Sequence, residues 1–405
     1  MRVLVCTPHV PFPPRGGGRA DIWRRIEALT RLGHEVMLMH QFDPTGPQAP
    51  TTEQFAQMDE VLTARSSYPL RRGPWRTLRQ LAGMWRLPWR IAKSEPARED
   101  RAAVEQAVRD FGPDLVWLDG PWLGQTARRI HAESGTTFAY RSHNVEHVYL
   151  LRQARAAKRL RQQIAWRVAT IGLKRYELAL MHQSARVFDI SLDDLSFWRA
   201  NGVDRLSWLP PLPELALTDP PDHRVDSDIL FVGGLRFPNN IHGVRWLVDE
   251  VMPLLLAERP DLTLSVVGST PADDLRRSLE AHPAVTTHFD VPSVNPFLFG
   301  ARVLANPVSI GSGVQLKMLD MLMTDAPIVT RSLGVRGLPE PCVAEFTVED
   351  DAQAFARAIL DRLDTPGVHA RSRAAAREYF TVRAVENALA EITTAGDDVA
   401  AAPPA

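Results

Sequence analysis

Apolar residues fall in two alternating series along the 405-residue chain. The first opens on a short run, Arg2-Val3-Leu4-Val5-Cys6-Thr7, followed by a loop rich in proline and glycine, Pro11 to Gly18. Ile22, Ile26 and Leu29 then recur at helical spacing, and Gly33 stops that helix before a second run, Val36 to Met39. Strand, helix, strand is a βαβ unit, which predicts a parallel sheet covered by helices on both faces. The pattern predicts further strands at 114–118, 136–141 and 185–191, and one long helical stretch filling roughly 152–182.

Between Pro210 and Asp228 prolines and acids replace this pattern, a linker composition. A second series then predicts strands at 229–233, 262–268, 285–291, 302–306 and 327–330, a last helix at about 381–392, and a loose tail over 396–405. The reading is α/β: two doubly wound Rossmann-like domains facing a cleft, at 1–212 and 227–378. A linker at 213–226 joins them, and a helix at 379–395 follows the second. Ligands of such sheets bind at the carboxyl ends of the strands.

Charge sharpens the division. The chain holds 47 basic and 48 acidic side chains, a net charge of −1, but residues 1–210 carry 31 and 21 of them and residues 211–405 carry 16 and 27. Two halves at +10 and −11 suit two domains with different partners. No window approaches the roughly 18 apolar residues of a membrane span. The opening run is too short for a signal peptide, and the two cysteines, Cys6 and Cys342, are too few for a disulfide framework or a zinc cluster. These features predict a cytoplasmic protein. Arginine outnumbers lysine 43 to 4, a composition that suits a bacterial genome rich in G and C.

Four clusters lie where this fold builds its sites. Gly16-Gly17-Gly18 precedes a helix, where backbone can approach an anion; the plain alternative is a flexible turn. It lacks the glycine spacing of the dinucleotide fingerprint. Arg141-Ser142-His143-Asn144-Val145-Glu146-His147 follows an apolar strand. An imidazole there can bond a sugar hydroxyl or stabilise developing charge; the alternative is a capped helix start. Val232-Gly233-Gly234-Leu235-Arg236-Phe237-Pro238-Asn239-Asn240 joins a strand to a helix and offers Arg236 to a phosphate, or to solvent. In Ile310-Gly311-Ser312-Gly313-Val314-Gln315-Leu316-Lys317-Met318-Leu319-Asp320, a small-residue loop opens a helix. Free amides and Lys317 can meet a pyrophosphate there, and Asp320, three residues on, can accept two ribose hydroxyls. The alternative is an ordinary amphipathic helix.

In this order, these residues resemble the GT-B glycosyltransferases of the retaining family-four (group 1) type. The Pro-rich glycine loop, His143-Asn144-Val145-Glu146, Phe231-Val232-Gly233 with Pro238-Asn239-Asn240, the Gly311 to Asp320 stretch and Pro327-Ile328-Val329 carry the likeness, over about 1–392. The resemblance implies a nucleotide-diphosphate sugar of UDP or GDP type on the C-terminal domain and an acceptor on the N-terminal one. It implies transfer with retention of anomeric configuration, no metal and no further cofactor. Carried over by position, Gly17 and Gly18 approach the donor diphosphate and His143, the catalytic residue, contacts the donor sugar. Lys317 holds the diphosphate with Gly311, Ser312, Gly313 and Val314, helped by Arg236 and Asn240. Asp320 takes the ribose, backbone near Phe289 and Val291 flanks the base, and the final helix crosses back to the N-terminal domain. Ser312 and Asp320 stand where the family commonly has two glutamates, and Asn239-Asn240 where it often has a basic pair.

No carboxylate pair at glycosidase spacing marks a double displacement. The family suggests a front-side substitution in which the leaving diphosphate helps deprotonate the acceptor. Two basic segments remain. Residues 65–94 and 151–176 each hold eight basic side chains and no acid, with Trp75, Trp85 and Trp89 in the first. They predict peripheral contact with an anionic inner membrane face or an anionic acceptor; the alternative is a solvated helix face with its tryptophans in the core. No nucleic-acid recognition motif accompanies them. A natural-product, cell-envelope or polysaccharide pathway fits. The competing readings are an epimerase or phosphorylase of the same fold, and a catalytically inactive nucleotide-sugar-binding subunit marked by Ser312.

Overall fold

Both apolar series pair into wholly parallel sheets, with helices crossing over between their strands. The computed structural model describes all residues except 15, 47–48, 85, 158, 215–220, 312, 366, 368–369 and 401–405; the side chains of 156, 370 and 395–400 also fall outside it. The chain divides into two units, Met1–Pro210 with Arg383–Ala405, and Pro211–Val382.

The first unit carries β1 (Arg2–Thr7), β2 (Glu35–Phe42), β3 (Ala64–Pro69), β4 (Leu115–Asp119), β5 (Thr137–Ser142), β6 (Val187–Asp189) and β7 (Leu206–Trp208), in the order β3-β2-β1-β4-β5-β6-β7. Strands β1 and β4 lie centrally, so helices bury both their faces, and their sequences read as near-continuous apolar runs. Trp117 of β4 stacks on Phe188 of β6, with ring centroids 5.7 Å apart, in the core of this unit. Strand order reverses between β1 and β4, and the loops leaving their carboxyl ends diverge there.

The second unit carries β8 (Ser227–Val232), β9 (Leu264–Gly268), β10 (Val285–Phe289), β11 (Ala301–Asn306), β12 (Ile328–Thr330) and β13 (Phe346–Val348), in the order β10-β9-β8-β11-β12-β13. Its reversal lies between β8 and β11. The ends of β8 and β9 press together closely: a Cβ on Gly268 would stand 2.0 Å from the Gly233 carbonyl oxygen, so only glycine fits. Trp246 meets Phe355 edge-on at 5.3 Å in the core.

Several predicted elements differ. The long stretch at 152–182 is three helices, Glu146–Ala156, Leu160–Thr170 and Leu173–Gln183, and the last two are parted at Gly172, whose left-handed φ of 73° a helix cannot continue through. The glycine run is not all loop: Gly16, at φ 95°, precedes a helix Gly17–Arg31. The last helix runs Arg383–Ala400, through the first half of the predicted tail, and belongs to the first unit. There its Glu391 pairs with Arg186 at 3.1 Å and accepts from Ser207.

Candidate functional site

At the carboxyl ends of β4 and β5, four buried charged side chains interlock with a half-buried histidine. Asp119 closes β4, Arg141 lies in β5, His143 follows it, and Asp21 and Arg25 sit one turn apart on the helix Gly17–Arg31. Arg25 Nη2 donates to both oxygens of Asp119 at 2.6 Å. Arg141 forks onto Asp21 at 2.9 and 3.1 Å and donates to the Leu209 carbonyl at 2.9 Å. A planar guanidinium matches a carboxylate in this two-bond geometry. The four side chains are 1–3% exposed, so each charge depends on its partners rather than on water.

His143 joins the same network. Its Nε2 stands 2.9 Å from Asp119 Oδ1, and its Nδ1 3.2 Å from Asp21 Oδ2, off the line of a hydrogen bond. Burial works against charging the ring, but the hydrogen bond to Asp119 and the close attraction of both Asp21 and Asp119 outweigh it and lift the pKa to about 9. For Asp21, burial is likewise outweighed, by Arg141, His143 and Arg25, and its carboxyl is held far below the usual range. Three cations against two anions leave the cluster one positive charge. Both ring nitrogens of His143 face carboxylates, so what it offers a ligand is charge rather than an outward N–H.

The neighbouring Glu146 and His147 belong to a capped helix. Glu177, fully buried, lies 3.3 and 3.4 Å from their backbone nitrogens, and its Oε2 is 2.9 Å from His147 Nδ1. Burial pushes Glu177 up to about 8 and His147 down to about 4, a neutral pair. The alternative reading of this motif fits 146–147, whose helix start Glu177 serves, whereas His143 is held in the charge network. Gly17 and Gly18 are exposed in the first helical turn, and a Cβ on Gly18 would meet nothing within 4 Å.

In the second unit, the residues predicted to bind the donor gather at the carboxyl ends of β8, β10 and β11. The helix Leu316–Leu322 starts later than the motif suggests, with Gln315 preceding it, so Lys317 is its second residue rather than one turn in. Gly311 and Gly313 adopt φ of 146° and 76°, conformations reserved for glycine, and Val314 follows them; Ser312 lies outside the described residues. Lys317 Nζ donates to the Val232 carbonyl at 3.2 Å and to Asn240 Oδ1 at 3.1 Å, and sits 5.0 Å from the Phe231 ring centre. Among the described residues no carboxylate comes within ion-pairing distance of it. Loss of water pushes its pKa down to about 7.

Asn240, buried, also donates to the Gly234 carbonyl and so braces the loop after β8. Arg236 is exposed on that loop, its Nε 3.3 Å from the Thr270 carbonyl oxygen. Phe289 ends β10 and packs on the core, and Val291 follows it, half-buried. Asp320 is 8% exposed, and its Oδ1 accepts the Glu214 amide at 2.7 Å, tying the start of the second unit to this helix. Sequence reasoning missed Asp21, Arg25 and Asp119 in the first unit and Asn306 in the second. Asn306, at the end of β11, is fully buried and reaches Gln315 and Thr330 at 3.3 and 3.1 Å, shaping the loop between them. The available signal was a polar residue closing an apolar strand, as in Leu115-Val116-Trp117-Leu118-Asp119.

Residues 226–365, most of the second unit, match the family of glycosyl transferases group 1. An uncharacterized 44.6 kDa protein in the cps region of Klebsiella pneumoniae is 24% identical over 376 residues, 89% of this chain and 90% of that protein. Sucrose-phosphate synthase from Thermosynechococcus elongatus aligns over 99% of this chain and 100% of its own, with a TM-score of 0.64 and 16% identity. HepE from Anabaena, solved in complex with UDP-glucose, aligns over 97% of this chain and 99% of its own, with a TM-score of 0.61 and 12% identity. With two doubly wound parallel sheets the chain has the α/β fold of the GT-B glycosyltransferases, and its second unit carries the match to the glycosyl transferases group 1.

Proposed function

We propose that the protein transfers a sugar from a nucleotide-diphosphate donor to an acceptor with retention of anomeric configuration and without a metal. The nucleotide rests on the second unit and the acceptor on the first. The observation that carries this reading is Lys317: a desolvated ammonium with no carboxylate partner among the described residues, at the strand ends where a doubly wound sheet binds its ligand. A diphosphate supplies the missing negative charge. The likeness to a protein solved with UDP-glucose supports a donor of the UDP type.

On this reading Lys317, Arg236, Asn240 and the backbone of Gly311, Gly313 and Val314 hold the diphosphate. Asp320 takes the ribose, and backbone near Phe289 and Val291 borders the base. Gly17, Gly18 and His143 contact the reacting end of the donor, where the fixed imidazolium of His143 stabilises negative charge on the leaving group. The bond from the anomeric carbon to the diphosphate oxygen breaks as the acceptor atom attacks the same face. The acceptor's proton passes to the departing diphosphate. Positioning and charge stabilisation supply the rate.

Peripheral membrane contact is part of the proposal. On the helix Pro74–Ala82, Trp75, Leu78 and Leu81 are 79, 58 and 39% exposed beside Arg79; on Leu160–Thr170, Leu160 and Ile164 are 69 and 51% exposed. Trp75 thus does not lie in the core, while Trp85 falls outside the described residues. Exposed apolar residues with arginines on the same helices suit an anionic bilayer surface. No helix among the described residues is long and apolar enough to cross a membrane.

The test is a panel of nucleotide sugars incubated with the protein, with nucleotide release followed over time. Release from one donor, with the sugar's configuration kept in the product, supports the proposal. Tight nucleotide binding with no release from any donor would overturn it.

A further inference from the structure

A second candidate site lies within the first unit, in a cavity whose lining includes none of the five network residues. A cavity of about 540 Å³ opens at the carboxyl ends of β1, β2 and β3, between the helices Trp89–Ser94 and Leu160–Thr170. That volume falls within the roughly 300–1,000 Å³ of small-molecule sites. Its lining is cationic. Arg19, Arg90 and Lys93 border it, and its one acid, Asp43, is already engaged by Arg72.

The strongest feature is Arg90. Its guanidinium lies 4.9 Å from the Trp122 ring centre and 5.5 Å from that of Trp166, and no carboxylate among the described residues pairs with it. The two rings fix its plane, so a fork of donors is set before any ligand arrives. Burial strips water from it, which strengthens its pull on an incoming anion. Lys93, 5.9 Å from the Trp89 ring centre, adds a movable point charge, and Trp89 and Trp166 give the wall two aromatic faces.

We infer that this cavity binds the acceptor, and that the acceptor carries an oxyanion group, a phosphate or a carboxylate, on a body of sugar size. Arg90 and Lys93 hold the oxyanion, and the tryptophan faces pack against the carbon skeleton. The word acceptor rests on the transferase reading above; the anion site rests on the cavity alone.

Calorimetry on the full chain, with UDP kept at saturation, tests it using glucose 1-phosphate, glucuronate and glucose as probes. The expected result is that at least one anionic probe binds about tenfold or more tighter than glucose, and that Arg90→Gln removes that advantage while UDP affinity stays unchanged. Lys93→Gln, at an exposed position, should weaken the same probe several-fold and stands in if Arg90→Gln does not fold. Equal binding of anionic and neutral probes, no binding of either anion, or an unchanged anion affinity in the variants would overturn the inference. Failure of UDP alone to bind would count against the donor reading, and the probe titrations would still decide the cavity.

Discussion

The two units bury charge in opposite ways. In the network of the first, Asp21 and Asp119 each face two or more cations, and both guanidinium groups, of Arg25 and Arg141, have a carboxylate within 2.9 Å. In the second, Lys317 has a carbonyl and an amide oxygen but, among the described residues, no anion. A network in which every charge has an opposite partner fixes the loop after β5 to the first helix, and stability is lost if any member is removed. An uncompensated ammonium costs stability as it stands, and regains it when an anion binds. This contrast also explains how a half-chain at −11 can hold an anionic donor, since the attraction is local.

Removing a member of the network should have the largest effect. Arg141→Met leaves Asp21 buried with one guanidinium fewer, and chemical denaturation should show the first unit losing about 3–5 kcal/mol. A loss under about 1 kcal/mol, the range of an exposed pair, would show that the network holds nothing. Lys317→Gln comes next: UDP affinity should fall by roughly ten- to a hundredfold, as expected when one charged hydrogen-bond partner is lost, while stability without UDP stays equal or rises because the buried ammonium's cost is gone.

A smaller effect concerns pH. The pKa of His143 rises from 6.5 to about 9 on folding, so its contribution is fully present below 6.5 and disappears as pH climbs to 9. Glu177, lifted from 4.5 to about 8 by burial, also loses stability as pH rises, so the difference between native protein and variant is the quantity to read. Melting curves below 6.5 and above 9 should show a steeper fall for the native chain than for His143→Gln; parallel falls would remove the imidazolium from the network. Smallest is the membrane effect. Trp75→Ser with Leu78→Ser should lower binding to vesicles containing anionic lipid several-fold, and no change would assign that helix face to solvent.

The central strands of both sheets were legible because burial on two faces leaves nearly unbroken apolar runs, as in β1 and β4. The strands that escaped, β3, β7 and β13, all lie at sheet edges. Ala64-Arg65-Ser66-Ser67-Tyr68-Pro69 is half-buried and polar, and the other two are three residues long. The site divides in the same manner. Lys317 and the positive-φ glycines around it are local in sequence, so spacing could find them. The network joins Asp21 to Arg141 across 120 positions, and only the sheet topology brings them together. Spacing could place His143 at a strand end, but not show that two carboxylates would hold it.

The donor site can be tested most directly at Lys317 itself. At pH 8 this lysine is mostly neutral, its pKa being near 7. A bound diphosphate should restore its proton. Titrating UDP by calorimetry in two buffers of different ionisation enthalpy therefore should reveal proton uptake, present in the native chain and absent in Lys317→Gln. UDP binding with no linked proton, or with the same affinity and proton count in the variant, would contradict a diphosphate site built on Lys317.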